Sequence, residues 1–288
     1  MSKGRLSRIA AVLALAGVSL FVQASPAKAT VTYNAHTWNL AAGKDTYNGA
    51  SMPGRLATIQ YIVGVENPLF VAFTEICQST WDDLVDGWET MVEANAESSF
   101  VQLDDSEDGC PSNGPRGSAF FAIGTATGAN IVHHLEPTQG EEARWAICRK
   151  IISTGTTWTA CAAHFASNRH LAEKQADLAW DWWADVNTTP WVFGGDFNQE
   201  FGTDGLSGNG GDTNSTSATA RWAYVFAEIH LRYPVNVPSL PVTYNPTEDK
   251  IDFVFAAYSH FSTGPLVDYC NNYTAYSDHR YCRGRINV

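Results

Sequence analysis

The sequence predicts a mixed α/β (α+β) protein in which two mixed β-sheets pack together with helices on their outer sides. Three observations support this prediction. Strand-like and helix-like segments alternate loosely along the chain, several neighbouring strands form hairpin-like pairs, and no internal repeat is evident. Layers of sheet and helix around one core bury the apolar faces of such segments.

Apolar runs rich in β-forming residues predict the strands. In chain order these cover residues 31–40, 69–76, 118–124, 130–135, 144–152, 157–165, 191–195, 251–256 and 285–288. Apolar residues at helical spacing predict helices near 51–65, over 81–96, from a cap at Ser167 to about 186, and over 217–229. The segment 203–218 is rich in Gly, Ser, Thr and Asn, and it is longer than a simple connection needs.

The first residues have the pattern of a secretory signal peptide. Lys3, Arg5 and Arg8 precede the apolar run 9–22, which is short for a membrane span, and Ala27-Lys28-Ala29 fits a small-x-small cleavage site. Residues 1–29 are therefore expected to be removed. We expect residues 30–288 to form one large secreted domain with no stable membrane insertion.

The charge of the expected mature chain is strongly negative. Removal of four cations with the signal leaves 14 basic against 30 acidic residues, a formal charge of −16. A field of this sign repels a polyanion unless a local basic patch or bound cations reverse it. The composition therefore disfavours a protein that coats DNA by charge alone, but it is compatible with an enzyme that recruits divalent metal to carboxylates.

Six cysteines in an exported chain predict three disulfides, although spacing alone leaves many connectivities open. Pairing of sequence neighbours gives Cys77–Cys110, Cys148–Cys161 and Cys270–Cys282. The middle pair has the best support, because its cysteines lie on two β-rich runs joined by the hairpin-like segment 153–155. A zinc site is the competing interpretation, but the chain has no Cys-x-x-Cys pair.

Polar side chains suited to acid, base or ligand chemistry occur at six predicted strand ends. They are Asn39, Glu75, His164, Asp196 with Asn198, Asp252, and the pair Asp278-His279. Each alone is more typical of a turn, a cap or a solvated surface position. Strand ends, however, are where a rigid scaffold aims several side chains at one point. Their joint occurrence favours a shared site.

Five of these segments resemble, in order, the endonuclease/exonuclease/phosphatase superfamily, over about residues 30–288. They are Thr37-Trp38-Asn39, Thr74-Glu75-Ile76, Gly194-Gly195-Asp196-Phe197-Asn198, Ile251-Asp252-Phe253 and Ser277-Asp278-His279. The segments 163–167 and 116–119 are most similar to the deoxyribonuclease I and cytolethal distending toxin B branches. The resemblance implies a four-layered α/β/β/α sandwich.

The resemblance also implies a metal site and phosphate contacts. Glu75 would be the main metal carboxylate, with Asn39 and Asp278 nearby, and hard oxygen ligands of this kind suit Mg²⁺, with Ca²⁺ or Mn²⁺ as alternatives. Arg116 offers a planar fork for a phosphate group, and Arg144 is a second candidate for the same role.

The catalytic roles that the resemblance implies fall on five residues. His279 is expected to act as the general base toward water, and Asp252 to orient its imidazole. Asp196 and Asn198 would position the water and the scissile phosphate, or hold a second cation. His164 would contact the phosphate or assist departure of the leaving oxygen.

These expectations describe a metal-dependent phosphodiesterase, most similar to a DNA endonuclease of low sequence specificity, with DNA or RNA as substrate. The alternatives are a phosphatase or phospholipase of the same superfamily, acting on inositol phosphates or sphingomyelin, and the nuclease subunit of a toxin with partner chains. Unless the chain is such a toxin subunit, we expect it to be a monomer. The acid that orients His164 stays open, with Glu107 and Asp108 among the candidates.

Overall fold

The computed structural model describes a discontinuous set of segments from residue 32 onward. These are residues 32–40, 46–47, 50–51, 56–57, 59–61, 64–65, 68–91, 96–102, 110, 115–136, 144–153, 155–168, 171–172, 174–176, 178–179, 182, 190–198, 226–228, 252–257, 269–271, 277 and 281–287. They belong to one compact unit, Val31–Val288. The predicted signal peptide, 1–29, lies outside the described residues. No helix in the described part is long and apolar enough to cross a bilayer.

The described strands are numbered here in chain order. They are β1 (Thr32–Asn39), β2 (Thr46–Tyr47), β3 (Ala50–Ser51), β4 (Phe70–Cys77), β5 (Ala96–Gln102), β6 (Arg116–Ile123), β7 (Thr125–Ala126), β8 (Ile131–His134), β9 (Trp145–Ser153), β10 (Thr156–His164), β11 (Trp191–Asp196), β12 (Phe226–Glu228), β13 (Asp252–Ala257), β14 (Tyr269–Asn271) and β15 (Tyr281–Asn287). Helix α1 spans Gln78–Met91. Further helical residues lie within 56–65 and 171–182.

Of the described strands, β2 and β3 form a separate two-stranded antiparallel sheet, and the others form two mixed sheets. The first has the order β14-β15-β1-β4-β6-β5, and the second has the order β12-β13-β11-β10-β9-β7, with β8 also paired to β9. Each sheet contains one parallel pair flanked by antiparallel neighbours: β1 with β4, and β10 with β11. Parallel neighbours have their carboxyl ends at the same edge, so each sheet presents two strand ends side by side.

An apolar layer fills the space between the sheets. Phe70 and Phe120 from the first sheet and Trp158 and Val192 from the second belong to one cluster, and the three aromatic residues are fully buried. Burying each large apolar side chain contributes about 1.5–3 kcal/mol. This layer therefore holds the two sheets face to face.

Helices cover the outer faces of both sheets. On the first sheet, Trp81, Leu84 and Trp88 of α1 are buried, and Trp88 stacks on Phe121 of β6 with ring centroids 4.3 Å apart. On the second sheet, three buried alanines of the helical segment 171–182 pack in the cluster that contains Phe193. The order helix, sheet, sheet, helix confirms the predicted four-layered α/β/β/α sandwich.

Two of the predicted disulfides are present. Cys77 bonds to Cys110, and Cys148 bonds to Cys161 at directly opposed positions of β9 and β10. For the third pair, the backbone of Cys270 lies opposite that of Cys282 in the β14–β15 ladder. The side chains of that pair lie outside the described residues, so the Cys270–Cys282 bond stays a prediction.

Two local predictions were wrong, and one helix was predicted with shifted limits. Residues 226–228, predicted as helix, form β12, because pairing with β13 at the sheet edge outweighs the helical spacing of the segment. The helix predicted over 81–96 begins at Gln78 and ends at Met91, and Ala96 already starts β5, which pairs with residues 117–123 of β6. The predicted cap Ser167 is replaced by Asn168, whose side-chain oxygen accepts a hydrogen bond from Leu171 N–H at 3.3 Å.

Candidate active site at the carboxyl ends of the parallel strands

Four side chains from the carboxyl ends of the two parallel pairs meet between the sheets. Asn39 ends β1, Glu75 lies near the end of β4, His164 ends β10 and Asp196 ends β11. The Nδ2 of Asn39 donates to Asp196 Oδ2 at 2.9 Å and to Glu75 Oε1 at 3.2 Å. His164 Nε2 lies 3.6 Å from Asp196 Oδ2 and 3.8 Å from Glu75 Oε1. The first sheet and the second sheet therefore each contribute two members of one polar cluster.

A β-bulge directs Glu75 into this cluster. The β4–β6 register runs Phe73 opposite Ala119 and then Ile76 opposite Gly117, so β4 carries one extra residue. Glu75 lies in this bulge with a φ of 51°, a conformation that L-residues rarely adopt outside strained or functional positions. Bulges re-aim side chains next to sites of chemistry. The extra residue brings a partly exposed carboxylate to the end of an otherwise buried strand.

The turn after β11 positions Asp196 and Asn198 together. Asp196 Oδ1 accepts a hydrogen bond from the Asn198 backbone N–H at 2.9 Å, an Asx-type turn, and Asn198 has a φ of 50°. The Nδ2 of Asn198 donates to the carbonyl of Phe165 at 2.8 Å and lies 3.2 Å from His164 Nε2. Asn198 thus connects the end of β11 to the end of β10.

Glycine is required at both positions before Asp196, for two different physical reasons. A Cβ on Gly194 would approach Ala72 Cβ to 2.7 Å, so a side chain there would push the sheets apart. Gly195 has a φ of 153°, and a Cβ there would overlap the carbonyl oxygen of Ala163 on the neighbouring strand. Only glycine lets β10 and β11 run this close at the point where their ends carry His164 and Asp196.

We therefore expect Gly195→Ala to lower the free energy of unfolding by roughly 2–4 kcal/mol, from overpacking together with a strained φ. Denaturant unfolding followed by circular dichroism measures this change. Gly128→Ala is the matched control, since a Cβ at Gly128 would meet nothing within 4 Å. Equal unfolding midpoints for the two variants would contradict the close-approach explanation.

Two further predicted residues lie beside the cluster. Arg116, the first residue of β6, has its NH1 3.5 Å from Glu75 Oε2, and both side chains are partly exposed. Asp252 begins β13 directly opposite Asp196 in the β11–β13 ladder and is fully buried. Val254, two residues later, belongs to the layer between the sheets, so Asp252 lies on the same face as the cluster.

Arg144 has a different placement. It precedes β9, it is buried, and its carbonyl accepts a hydrogen bond from Leu135 N–H at 2.7 Å. Ala146 and Cys148 pack in the cluster on the helix side of the second sheet. Strand alternation therefore puts Arg144 on that outer face, and its role in phosphate binding stays a prediction.

Asp278 and His279 lie outside the described residues, as do Glu107 and Asp108. Ser277, which precedes Asp278 in the sequence, is fully buried, and its Oγ donates a hydrogen bond to the backbone carbonyl of Asn39 at 2.6 Å. Ser277 is thus bonded to the backbone at the end of β1. For His164, the acids found within 4 Å of Nε2 are Asp196 and Glu75.

The donors present suit a hard divalent cation. Glu75 and Asn39 supply a carboxylate and an amide whose polar atoms are in contact, and Mg²⁺ commonly binds to one or two carboxylates with water and substrate phosphate completing its shell. Within the described residues, which exclude Asp278, no group of three or more His, Cys, Asp or Glu is arranged to hold a metal ion. Asp278, which the resemblance implies as a ligand, lies outside the described residues.

Comparison with solved structures, but not comparison of sequences, identifies proteins with this fold. No family model matches the sequence, and no curated protein matches it. An endonuclease/exonuclease/phosphatase from Beutenbergia cavernae superposes with a TM-score of 0.67 at 16% identity, covering 89% of this chain and 72% of that chain. The protein has the endonuclease/exonuclease/phosphatase fold. At identities this low, the likeness establishes the fold and nothing further.

Two more solved structures share this endonuclease/exonuclease/phosphatase fold. The human Nocturnin catalytic domain with bound sulfate superposes with a TM-score of 0.68 at 14% identity, covering 89% of this chain and 95% of that chain. A mannosyl-6-phosphatase of Bacteroides thetaiotaomicron superposes with a TM-score of 0.61 at 15% identity, covering 89% of this chain and 99% of that chain. The match spans nearly the whole chain in each case.

Sequence reasoning missed two buried polar residues that touch the site's backbone. Ser277 was noticed only as part of the Ser-Asp-His segment. Gln175 received no role, yet it is fully buried and its Oε1 accepts a hydrogen bond from Ala166 N–H at 2.7 Å. A lone glutamine among the alanines of the predicted helix was the signal available in the sequence.

Proposed function

We propose that the protein is a secreted, metal-dependent phosphodiesterase that cuts DNA with little sequence preference, with RNA as the alternative nucleic-acid substrate. The observation that carries the proposal is the cluster of Asn39, Glu75, His164 and Asp196 at the carboxyl ends of both parallel pairs, with Arg116 against Glu75. Carboxylate, amide, imidazole and guanidinium groups together can hold a cation, a phosphate and a mobile proton. The fold and the order of the sequence motifs also support a phosphodiesterase.

Glu75, Asn39 and Asp278 would hold the divalent ion, for which Mg²⁺ is proposed, with Ca²⁺ or Mn²⁺ as alternatives. When bound, such an ion polarises a phosphoryl oxygen and neutralises charge that develops on it. The hydrogen bond from Asn39 to Glu75 keeps one carboxylate oxygen oriented before any ion arrives. Preorganised groups of this kind need no reordering at the moment of reaction.

The chain's own acids and bases would move the protons. His279 takes the proton of the attacking water as the water oxygen bonds to phosphorus, and Asp252 holds the His279 imidazole in the required tautomer. His164 donates a proton to the leaving oxygen as the opposite P–O bond breaks. Asp196 and Glu75 lie within 4 Å of the His164 Nε2 atom.

Substrate binding would depend on the phosphate backbone. Arg116 lies at the partly exposed edge of the cluster, where its planar guanidinium group can donate hydrogen bonds to a phosphate oxygen. Contacts to phosphate fix a nucleic acid without reading its bases, so weak sequence preference follows. The rest of the expected mature chain is strongly acidic and repels DNA, so the favourable contacts with DNA are confined to the site.

Secretion is supported by the signal-like N-terminus and by the two disulfides, which persist in oxidising compartments. We propose that the mature chain acts as a monomer. A nuclease subunit that works with toxin partner chains has the same site requirements and is the alternative assembly.

Relaxation of supercoiled plasmid tests the proposal. Nicking is expected with Mg²⁺, loss of nicking with EDTA, and recovery when Mg²⁺ is restored in excess. Full activity in EDTA would refute the metal role. An inactive preparation that remains folded by circular dichroism in every divalent metal tested would refute the nuclease assignment.

A phosphatase acting on phosphate monoesters is the second candidate, since one protein with the same fold is a mannosyl-6-phosphatase. Phosphate release from sugar and inositol phosphates, and choline phosphate release from sphingomyelin, should be measured beside plasmid nicking. Release from a monoester without nicking would favour the phosphatase. Choline phosphate release would favour the phospholipase.

A further inference from the structure

Among the described residues of the helical segment 171–182, Gln175 is the polar side chain that lies on the buried face. Ala172, Ala176 and Ala179 pack into the cluster on the outer side of the second sheet. Gln175 lies among them with 0% exposure. Small alanine side chains bring the helix close to the sheet, and a buried amide in such a place needs hydrogen-bond partners.

Gln175 bonds to the backbone that follows His164. Its Oε1 accepts a hydrogen bond from the Ala166 N–H at 2.7 Å, two residues beyond the imidazole. The intervening peptide is held on both sides: Phe165 N–H donates to the Asp196 carbonyl at 2.9 Å, and Asn198 Nδ2 donates to the Phe165 carbonyl at 2.8 Å. The chain leaving β10 is therefore fixed by β11, by the turn after it and by the helix.

We propose that Gln175 is a positioning residue for His164. It links the outer helix layer to the end of β10 and so keeps the His164 imidazole within reach of Glu75 and Asp196. Without an acceptor at this position, the buried Ala166 N–H has to find another partner, which requires the segment after His164 to move. A shift of about 1 Å in a catalytic group can lower a rate about 100-fold.

The alternative is that Gln175 only fills space, and three variants separate the two explanations. Gln175→Met keeps the length and removes the acceptor. Gln175→Glu keeps an acceptor at the same reach. Ile151→Val removes one methylene from the buried layer between the sheets, away from His164, and serves as the matched control for lost stability.

Two measurements are made on each variant: kcat and KM for nicking of DNA, and the His164 ring resonances by NMR in the absence of substrate. Gln175→Met is expected to lose roughly 10–100-fold in kcat with KM nearly unchanged, and to shift the His164 resonances. Gln175→Glu should recover most of the loss. Ile151→Val should change neither, although its unfolding temperature falls.

The activity arm rests on the proposed function, whereas the NMR arm does not. Unshifted His164 resonances in Gln175→Met would overturn the inference even if the wild type is a nuclease. A wild-type protein without phosphodiesterase activity would refute the proposed function. The His164 resonances alone would then test the role of Gln175. If Gln175→Met does not fold, Gln175→Asn, whose shorter amide cannot reach Ala166, takes its place under the same criteria.

Discussion

Glu75→Gln is expected to lower the phosphodiesterase rate by roughly 10³-fold, the order lost when one preorganised electrostatic group is removed from an active site. The amide keeps the size of the side chain but cannot bind a divalent ion as a carboxylate does. It also removes the anion that Arg116 and His164 face at 3.5 and 3.8 Å. Plasmid nicking with Mg²⁺, together with calorimetric titration of the metal alone, measures both losses.

Glu97→Gln is the matched control for this variant. Glu97 is similarly exposed, at 25% against 24% for Glu75, and it also faces an arginine, with Arg149 NH1 at 3.1 Å. It belongs to β5, the edge strand of the first sheet, and is absent from the cluster. Both variants lose an ion pair, but only Glu75→Gln should lose activity. Equal activity of the two proteins would contradict the metal-ligand assignment.

Asp196→Asn is expected to cost roughly 10²–10⁴-fold in rate, because it disturbs the proton-handling groups around it. Asp196 uses both oxygens as acceptors, toward Asn198 N–H and toward Asn39 Nδ2, each at 2.9 Å. An amide has a single acceptor oxygen, so its NH₂ group must face one of these two donors. His164, 3.6 Å away, also loses an anionic neighbour. Rate measurements under saturating Mg²⁺ test this expectation.

Asp82→Asn supplies the comparison for Asp196→Asn. Asp82 lies exposed on α1, where removal of a carboxylate should leave both the rate and the unfolding midpoint near those of the wild type. A rate for Asp196→Asn within about twofold of that control would remove Asp196 from the proposed chemistry.

Most of the sandwich could be predicted from the sequence, because long buried strands carry their own pattern. The run that became β4 and the strand before Gly194-Gly195 are apolar, bounded and rich in β-formers, and both were located correctly. The segments whose secondary structure was mispredicted are strands only because they pair with a neighbouring strand. Residues 226–228 are a strand through pairing with β13, and Ala96–Gln102 is a strand through pairing with β6, although its polar residues resemble a surface segment.

For the candidate site, the residue types and their order along the chain were already informative. Acidic, amide and imidazole groups at strand ends identified Asn39, Glu75, His164, Asp196 and Asn198, and the structure brings these five together. Their chemical roles remain predictions, and Asp278 and His279 lie outside the described residues. The bulge at Glu75 and the acceptor of Gln175 were not foreseen. Neither depends on local pattern, since both need a partner strand or loop in place.

The sequence by itself therefore determined most of the long buried strands and the set of polar strand ends, and it suggested the two cysteine pairings that the structure shows. Only the tertiary structure decided that ends from two different sheets face one another across 2.9 Å, that one extra residue turns Glu75 toward them, and that a helix glutamine bonds to the backbone after His164. The physical reason is the range of each effect. Side-chain periodicity acts between neighbours along the chain, whereas distances between residues more than 150 positions apart follow from how the sheets pack.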